Sequence, residues 1–187
     1  MKPNKNYQTA CSIVIYTFFA IYIVLLLYFL FFARIGLRNF DLHGTNLVPF
    51  YTISTQIAQL STPFRSNAFA NLMVNIVLLA PLGLFLPVLF GEKKISFYFG
   101  IIFLLSLSIE IIQFIFDLGS ADIDDIILNC IGGLLGLVAY NVLRLLLKQE
   151  SRVRLFIAII SGVVGVVVIV YLAIQLLQWL QWYNSLH

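Results

Sequence analysis

The stretch CSIVIYTFFAIYIVLLLYFLFFA, residues 11–33, contains no charged residue. About 20 consecutive apolar residues are enough to cross the hydrocarbon core of a bilayer as an α-helix. The stretch follows a polar start with Lys2 and Lys5, as the apolar part of a signal peptide does. It is too long for a signal peptide, however, and no small-residue cleavage site follows it. The sequence therefore predicts a retained membrane-spanning helix near the N-terminus.

Four further apolar runs of similar length follow in the 187-residue chain. The five predicted spans are 11–33, 68–90, 95–116, 126–147 and 155–177. The composition agrees, because 61% of the residues are hydrophobic and only 10% are charged, whereas about a quarter of a soluble domain is charged. The runs lack the alternation of barrel strands. We therefore predict an all-α, polytopic membrane protein with about five transmembrane helices.

The chain is predicted to form a single membrane domain over residues 1–187, since it is too short for a second globular unit beside its helices. Its one long connection, residues 34–67, is predicted to contain a short helix over 53–60 that lies on the outer surface or dips into the membrane. The two cysteines, Cys11 and Cys130, fall at or inside apolar runs and are predicted to be buried and unpaired. The net charge of +3 is small and forms no basic patch, which argues against nucleic-acid binding.

The basic residues are distributed unevenly between the two ends of the predicted spans. Of the 11 Lys and Arg residues, eight precede the first span or lie around the connections after the second and fourth spans, and three lie in the long first connection. Connections on the cytoplasmic face of a membrane carry the excess of Lys and Arg. We therefore predict a cytoplasmic N-terminus and an extracellular C-terminus, with Trp179, Trp182 and Tyr183 as an aromatic anchor at the outer interface.

Polar side chains inside the spans are costly and therefore need a reason. In the third span, Ser106, Glu110, Gln113 and Asp117 recur at helical spacing and share one stripe. The next connection carries three carboxylates within four residues. In the predicted orientation all of these positions lie in the outer half of the membrane. The predicted ligand pocket consists of Arg34, Arg38, Asn46, Asn71, Asn75, Glu110, Gln113, Asp122, Asp124, Asp125 and Asn129.

Several uses of these side chains stay open on the residues alone. In a purely structural account, Asp122 caps the fourth helix and Glu110 pairs with an arginine. Asp122, Asp124 and Asp125 could instead hold a divalent cation in an enzyme that acts on lipid-linked phosphate or glycolipid. Glu110 could carry protons in a small transporter, or the pocket could bind the polar head of an envelope molecule without chemistry. No catalytic residue and no firm cofactor is predicted, because no hydrolytic triad or phosphate-binding loop is present.

Four strings of the sequence resemble motifs of the VanZ-like family. They are NLVPF at 46–50, NIVLLAPLGLFLP at 75–87, SIEIIQ at 108–113 and DIDDIILNCIGG at 122–133. The resemblance extends over residues 15–145 and leaves the fifth span outside. Members of the family often carry an arginine shortly before the Asp-Ile-Asp-Asp string, where this chain has Gly-Ser-Ala.

The resemblance implies a multi-pass protein of the bacterial cell membrane, in a family named for low-level resistance to teicoplanin, a lipid-tailed glycopeptide. It transfers no catalytic residues to this chain. Our leading hypothesis is a membrane protein without catalytic activity, whose outer pocket binds or modulates an envelope component. The partners expected on this hypothesis are membrane lipids and a lipid-linked envelope precursor or lipoglycopeptide.

Overall fold

A computed structural model describes residues 5–28, 45–116 and 121–184 of the chain. The helices in these ranges are α1 (Lys5–Leu27), α2 (Tyr51–Gln59), α3 (Arg65–Phe90), α4 (Ile95–Ile115), α5 (Ile123–Leu147) and α6 (Glu150–Asn184). All except the short α2 are long and apolar enough to cross a membrane. The predicted all-α, multi-pass architecture is thereby confirmed.

The helices differ from the predicted spans mainly at their ends. The short helix predicted over 53–60 is α2, which begins two residues earlier. The helix α5 begins three residues before its apolar run, so that Asp124 and Asp125 lie in its first turn. The helix α6 extends beyond the predicted 155–177 at both ends, because polar residues continue a helix past the apolar run that defines a span. Residues 29–33 of the first predicted span lie outside the described residues.

The chain divides into two compact units. One unit comprises the chain up to Ile21 and from Leu147 onward. Within it, Gly165 of α6 lies against the ring of Phe18, where a side chain at that glycine would collide with the ring. Cys11 of this unit is buried and unpaired, as is Cys130 elsewhere, which confirms the prediction for both cysteines. The single membrane domain inferred from the sequence stays a prediction.

The other unit, Tyr22–Leu146, is built on a close approach of α3 and α5. A methyl group added to Gly132 would overlap the carbonyl oxygen of Ile76, and one added to Gly136 would overlap that of Ala80. Glycine at these positions therefore lets two helix backbones come into direct contact.

The helix α4 completes the core of this unit. Leu79 of α3, Ile102 of α4 and Leu137 of α5 are almost completely buried. Gly133 makes room for the side chain of Ile102, which would lie 2.5 Å from a methyl group added there. This packing brings the first turns of α3 and α5 and the last turns of α4 to the same end of the unit, where the polar residues lie.

Candidate functional site

A buried polar cluster lies where the loop before α2 meets the start of α5. We use the name polar cluster for the side chains that hydrogen bonds link there: Asn46, Thr52, Asn75, Glu110, Asp122, Asp124 and Asp125. Six of these seven residues belong to the pocket predicted from the sequence. The structure thus brings together side chains from three membrane-spanning helices, from α2 and from the connections before α2 and α5.

A short backbone pairing joins the NLVPF string to the DIDD string. The N–H of Asn46 donates to the carbonyl oxygen of Ala121 at 2.9 Å, and the N–H of Ile123 donates to that of Asn46 at 3.1 Å. The side-chain amide of Asn46 also donates to Oδ1 of Asp122 at 3.2 Å. Two motifs that are far apart in the sequence therefore form one local structure.

Asp122 caps the N-terminus of α5. Its Oδ1 accepts a hydrogen bond from the N–H of Asp124 at 2.9 Å, which satisfies one of the donors left open at a helix start. Its Oδ2 accepts from the hydroxyl of Thr52 at 2.5 Å, and its own N–H donates to Oε2 of Glu110 at 3.3 Å. The structural role proposed for Asp122 from its position is therefore confirmed.

Asp124 caps a different helix, α2. This residue has no exposed surface, and its two carboxylate oxygens accept from the N–H of Phe50 at 2.5 Å and the N–H of Ile53 at 3.0 Å. A carboxylate is favourable at a helix N-terminus because it satisfies open donors and complements the helix dipole. Phe50 holds the left-handed backbone conformation, with φ of 65°. The carboxylate of Asp124 thus fixes the turn that leads into α2.

Asp125 and Glu110 tie the start of α5 to the neighbouring spans. Oδ1 of Asp125 accepts from the side-chain amide of Asn75 on α3. Glu110 lies on α4 and is only 4% exposed, between the fully buried Ser106 and Gln113. The single polar stripe predicted from their spacing is confirmed over these three residues, while Asp117, the fourth member, lies outside the described residues.

The remaining predicted pocket residues have different positions. Asn129 is 2% exposed, and within the described part of the chain its Oδ1 has no hydrogen-bond donor. Asn71 is exposed, one turn before Asn75 on α3. Arg34 and Arg38 lie outside the described residues.

Thr52 is a member of the polar cluster that the sequence did not predict. A single threonine in the long connection carries no distinctive signal, and only its position six residues after Asn46 could have drawn attention to it. The most important partners of Asp124 are likewise hidden in the sequence, because they are backbone groups.

The polar cluster is rich in hydrogen-bond acceptors. Four carboxylates and an unsatisfied amide oxygen lie within a few turns of each other, and the described donors to Asp122 and Asp124 are N–H groups, a hydroxyl and an amide. Among the residues that the structure describes, no three His, Cys, Asp or Glu side chains are arranged to hold a metal ion. The carboxylates of Asp122, Asp124 and Asp125 accept from donors of the chain itself, whereas Oδ1 of Asn129 has no described donor.

Comparison with protein families shows where this arrangement belongs. The profile of the VanZ/LLP1 family matches residues 19–147. The chain belongs to the VanZ/LLP1 family. The matched range contains every residue of the polar cluster and none of α6, and it confirms the family resemblance that the four motifs indicated.

One curated relative is Protein VanZ of Enterococcus faecium, which is 39% identical over 102 residues. The match covers 53% of this chain and 63% of the relative. The chain therefore spans somewhat less than two thirds of the length of that protein. No solved structure matches the chain.

Proposed function

We propose that this VanZ/LLP1 protein binds the polar head of a cell-envelope component at its polar cluster and thereby contributes to resistance to teicoplanin. The observation that carries the proposal is the convergence of the buried side chains of Asn75, Glu110 and Asp124 from three spans at one end of the helical unit. Polar groups at this depth are expensive in a membrane protein and mark functional sites. Membership of a family named for resistance supports the same role.

The charge distribution supports a position for the cluster on the outer face. The cluster lies at the N-terminal ends of α3 and α5, whereas Lys93 and Lys94 follow the C-terminal end of α3. At that same opposite end Arg144 forms an ion pair with Glu92, with both side chains largely exposed. An excess of Lys and Arg on one side favours a cytoplasmic location for that side. The polar cluster would then face the envelope.

The acceptor-rich cluster suits a head group rich in hydrogen-bond donors, such as sugar hydroxyls and amide N–H groups. Asn129 lies one turn beyond Asp125 on α5, and its Oδ1 is a buried acceptor in need of a donor. An unsatisfied buried polar group costs about 1–3 kcal/mol, so a donor supplied by a ligand is favoured there. A lipid-linked envelope precursor or the lipoglycopeptide itself carries such groups, and binding either one requires no catalytic step.

The test compares Glu110→Gln and Asn129→Leu with wild type in a susceptible host, at matched membrane abundance. Glu110→Gln keeps an acceptor for the N–H of Asp122 but removes the charge, and Asn129→Leu removes the unsatisfied acceptor. Asn141→Ala is the matched control, since it removes an exposed amide from the other end of α5. We expect Glu110→Gln and Asn129→Leu to lose several-fold in teicoplanin resistance and Asn141→Ala to lose none.

Binding is measured directly with purified protein in nanodiscs and fluorescently labelled teicoplanin or a lipid-linked precursor. We expect saturable binding that Glu110→Gln and Asn129→Leu both weaken. Unchanged resistance and unchanged binding in Glu110→Gln and Asn129→Leu would refute the proposal.

A further inference from the structure

We propose that residues 47–64, which include α2, lie in the bilayer interface with their apolar side chains among lipid acyl chains. The inference does not depend on the proposed function, since it concerns what covers this segment and not what the polar cluster binds. It rests on four observations: the side chains that the segment exposes, the partners of its hydroxyl groups, the partners of its backbone donors, and its connection to α3.

The segment presents large apolar side chains outward. Leu47, Phe50, Tyr51, Ile57 and Phe64 are between 55% and 71% exposed. From residue 45 to residue 64 the sequence contains no Asp, Glu, Lys or Arg. A water-facing loop of this length normally carries charged residues, and a contiguous apolar patch of this kind marks an interaction site. The composition therefore favours a lipid environment for this face.

The hydroxyl groups of the segment are satisfied internally. Ser54 and Thr55 both donate to the carbonyl oxygen of Tyr51, at 2.9 and 2.8 Å. Ser61 and Thr62 donate to carbonyl oxygens three residues earlier, at 2.9 and 2.7 Å. These bonds leave the four hydroxyls without need of water, as a position among lipids requires of a polar group.

The backbone donors at the start of α2 are also satisfied without water. The buried carboxylate of Asp124 accepts from the N–H groups of Phe50 and Ile53. Open donors at a helix start are ordinarily left to solvent or to a local side chain. Here a fully buried carboxylate on a membrane-spanning helix supplies the acceptor, as a helix end in the interface requires.

The segment continues directly into a membrane-spanning helix. The helix α3 begins at Arg65, and its exposed apolar side chains begin with Phe69, which is 55% exposed. Exposed apolar side chains therefore resume on α3 five residues after Phe64, the last exposed apolar residue of the segment. Interfacial helices bury their apolar face about 5–10 Å into the boundary between head groups and acyl chains, and we expect this depth for α2.

The test places single tryptophans on the segment and measures their quenching by brominated lipids. The two native tryptophans, Trp179 and Trp182, are first replaced by phenylalanine. Phe50→Trp and Ile57→Trp then report from the turn and from α2, and Val77→Trp on α3 serves as the reference within the bilayer. The proteins are reconstituted in vesicles of phosphatidylcholine brominated at a shallow or a deep acyl position, and iodide is the aqueous quencher.

We expect both reporters to be quenched more strongly by the shallow bromine label than by the deep one, and to be largely protected from iodide. Strong iodide quenching with no lipid quenching, as for free N-acetyl-tryptophanamide, would show a water-exposed segment and overturn the proposal. Protection from both quenchers would overturn it too, because protein and not lipid would then cover the face. The use of two reporters keeps the test valid if one substitution disturbs folding.

Discussion

Replacement of Asp124 should release the start of α2 while leaving the membrane-spanning helices in place. The carboxylate has no exposed surface and accepts from two backbone N–H groups of the preceding loop. Asp124→Ala removes both acceptors and leaves the N–H groups of Phe50 and Ile53 without their partner. Asp124→Asn keeps one acceptor oxygen and loses the negative charge.

The expected magnitude follows from these two bonds. Hydrogen bonds to a charged group contribute about 1.5–3 kcal/mol each, and loss of a helix cap costs about 0.5–2 kcal/mol. Because the two bonds act together on one turn, we expect Asp124→Ala to destabilise the closed position of α2 by about 3 kcal/mol, which is roughly a 100-fold rise in opening. Asp124→Asn should lose about half of that free energy.

Hydrogen exchange measured by mass spectrometry on protein in nanodiscs can resolve this effect. Peptides that cover residues 47–60 should exchange much faster in Asp124→Ala, and at an intermediate rate in Asp124→Asn, while peptides from α4 keep their protection. Glu92→Ala is the control: it removes an exposed carboxylate whose ion pair with Arg144 is worth at most about 1 kcal/mol.

The reasoning about Asp124 is refuted by one clear result. If Asp124→Ala folds, as judged by a monodisperse elution profile and protected α4 peptides, and residues 47–60 exchange as slowly as in wild type, the carboxylate does not hold α2. If the alanine and asparagine variants exchange at the same rate, and both exchange faster than wild type, the negative charge of Asp124 holds α2 and the number of acceptor oxygens does not matter.

Three further changes have definite expected outcomes in thermal unfolding of the purified protein. Gly132→Ala forces a methyl group onto the Ile76 carbonyl and should lower the free energy of unfolding by about 1–3 kcal/mol. Gly100→Ala has open space around it and should leave the free energy of unfolding unchanged. Equal effects of the two substitutions would refute the close contact between α3 and α5. Phe50 and Lys148 have φ of 65° and 58°, so glycine at either position should be more stable than alanine by about 1 kcal/mol. An advantage of alanine at either position would contradict the left-handed backbone there.

The fold could be predicted from the sequence because one physical term dominates it. This term is the transfer of apolar side chains out of water: a run such as residues 68–90 is too long and too apolar to be stable anywhere but in lipid. The helix α3 begins three residues before this run and ends at its last residue. The ends were less accurate, since they depend on polar contacts. The carboxylate of Asp122 sets the start of α5. A prediction from hydropathy alone would take such a charged residue as evidence against a membrane-spanning helix.

The polar cluster could be predicted only in part, because it also depends on polar contacts between distant parts of the chain. Helical spacing is a local property, so the shared face of Ser106, Glu110 and Gln113 was predicted correctly. The partners of Asp122 and Asp124 lie about 70 residues away in the sequence, on a loop whose backbone N–H groups leave no mark on the sequence. The crowding of carboxylates in the sequence suggested that an external cation or ligand compensates their negative charge. In the structure, much of this compensation comes from hydrogen-bond donors within the chain.

The three aspartates of the DIDD string escape mutual repulsion because each serves a different neighbour. Successive residues at a helix start point about 100° apart, so Asp122 faces Thr52 and its own helix, Asp124 faces the start of α2, and Asp125 faces Asn75. A cation that engaged Asp122 and Asp124 together would compete with a hydroxyl, a side-chain amide and three backbone N–H groups. Cation binding there would consequently open the start of α2, and the exchange of residues 47–60 would report it as a metal-dependent loss of protection.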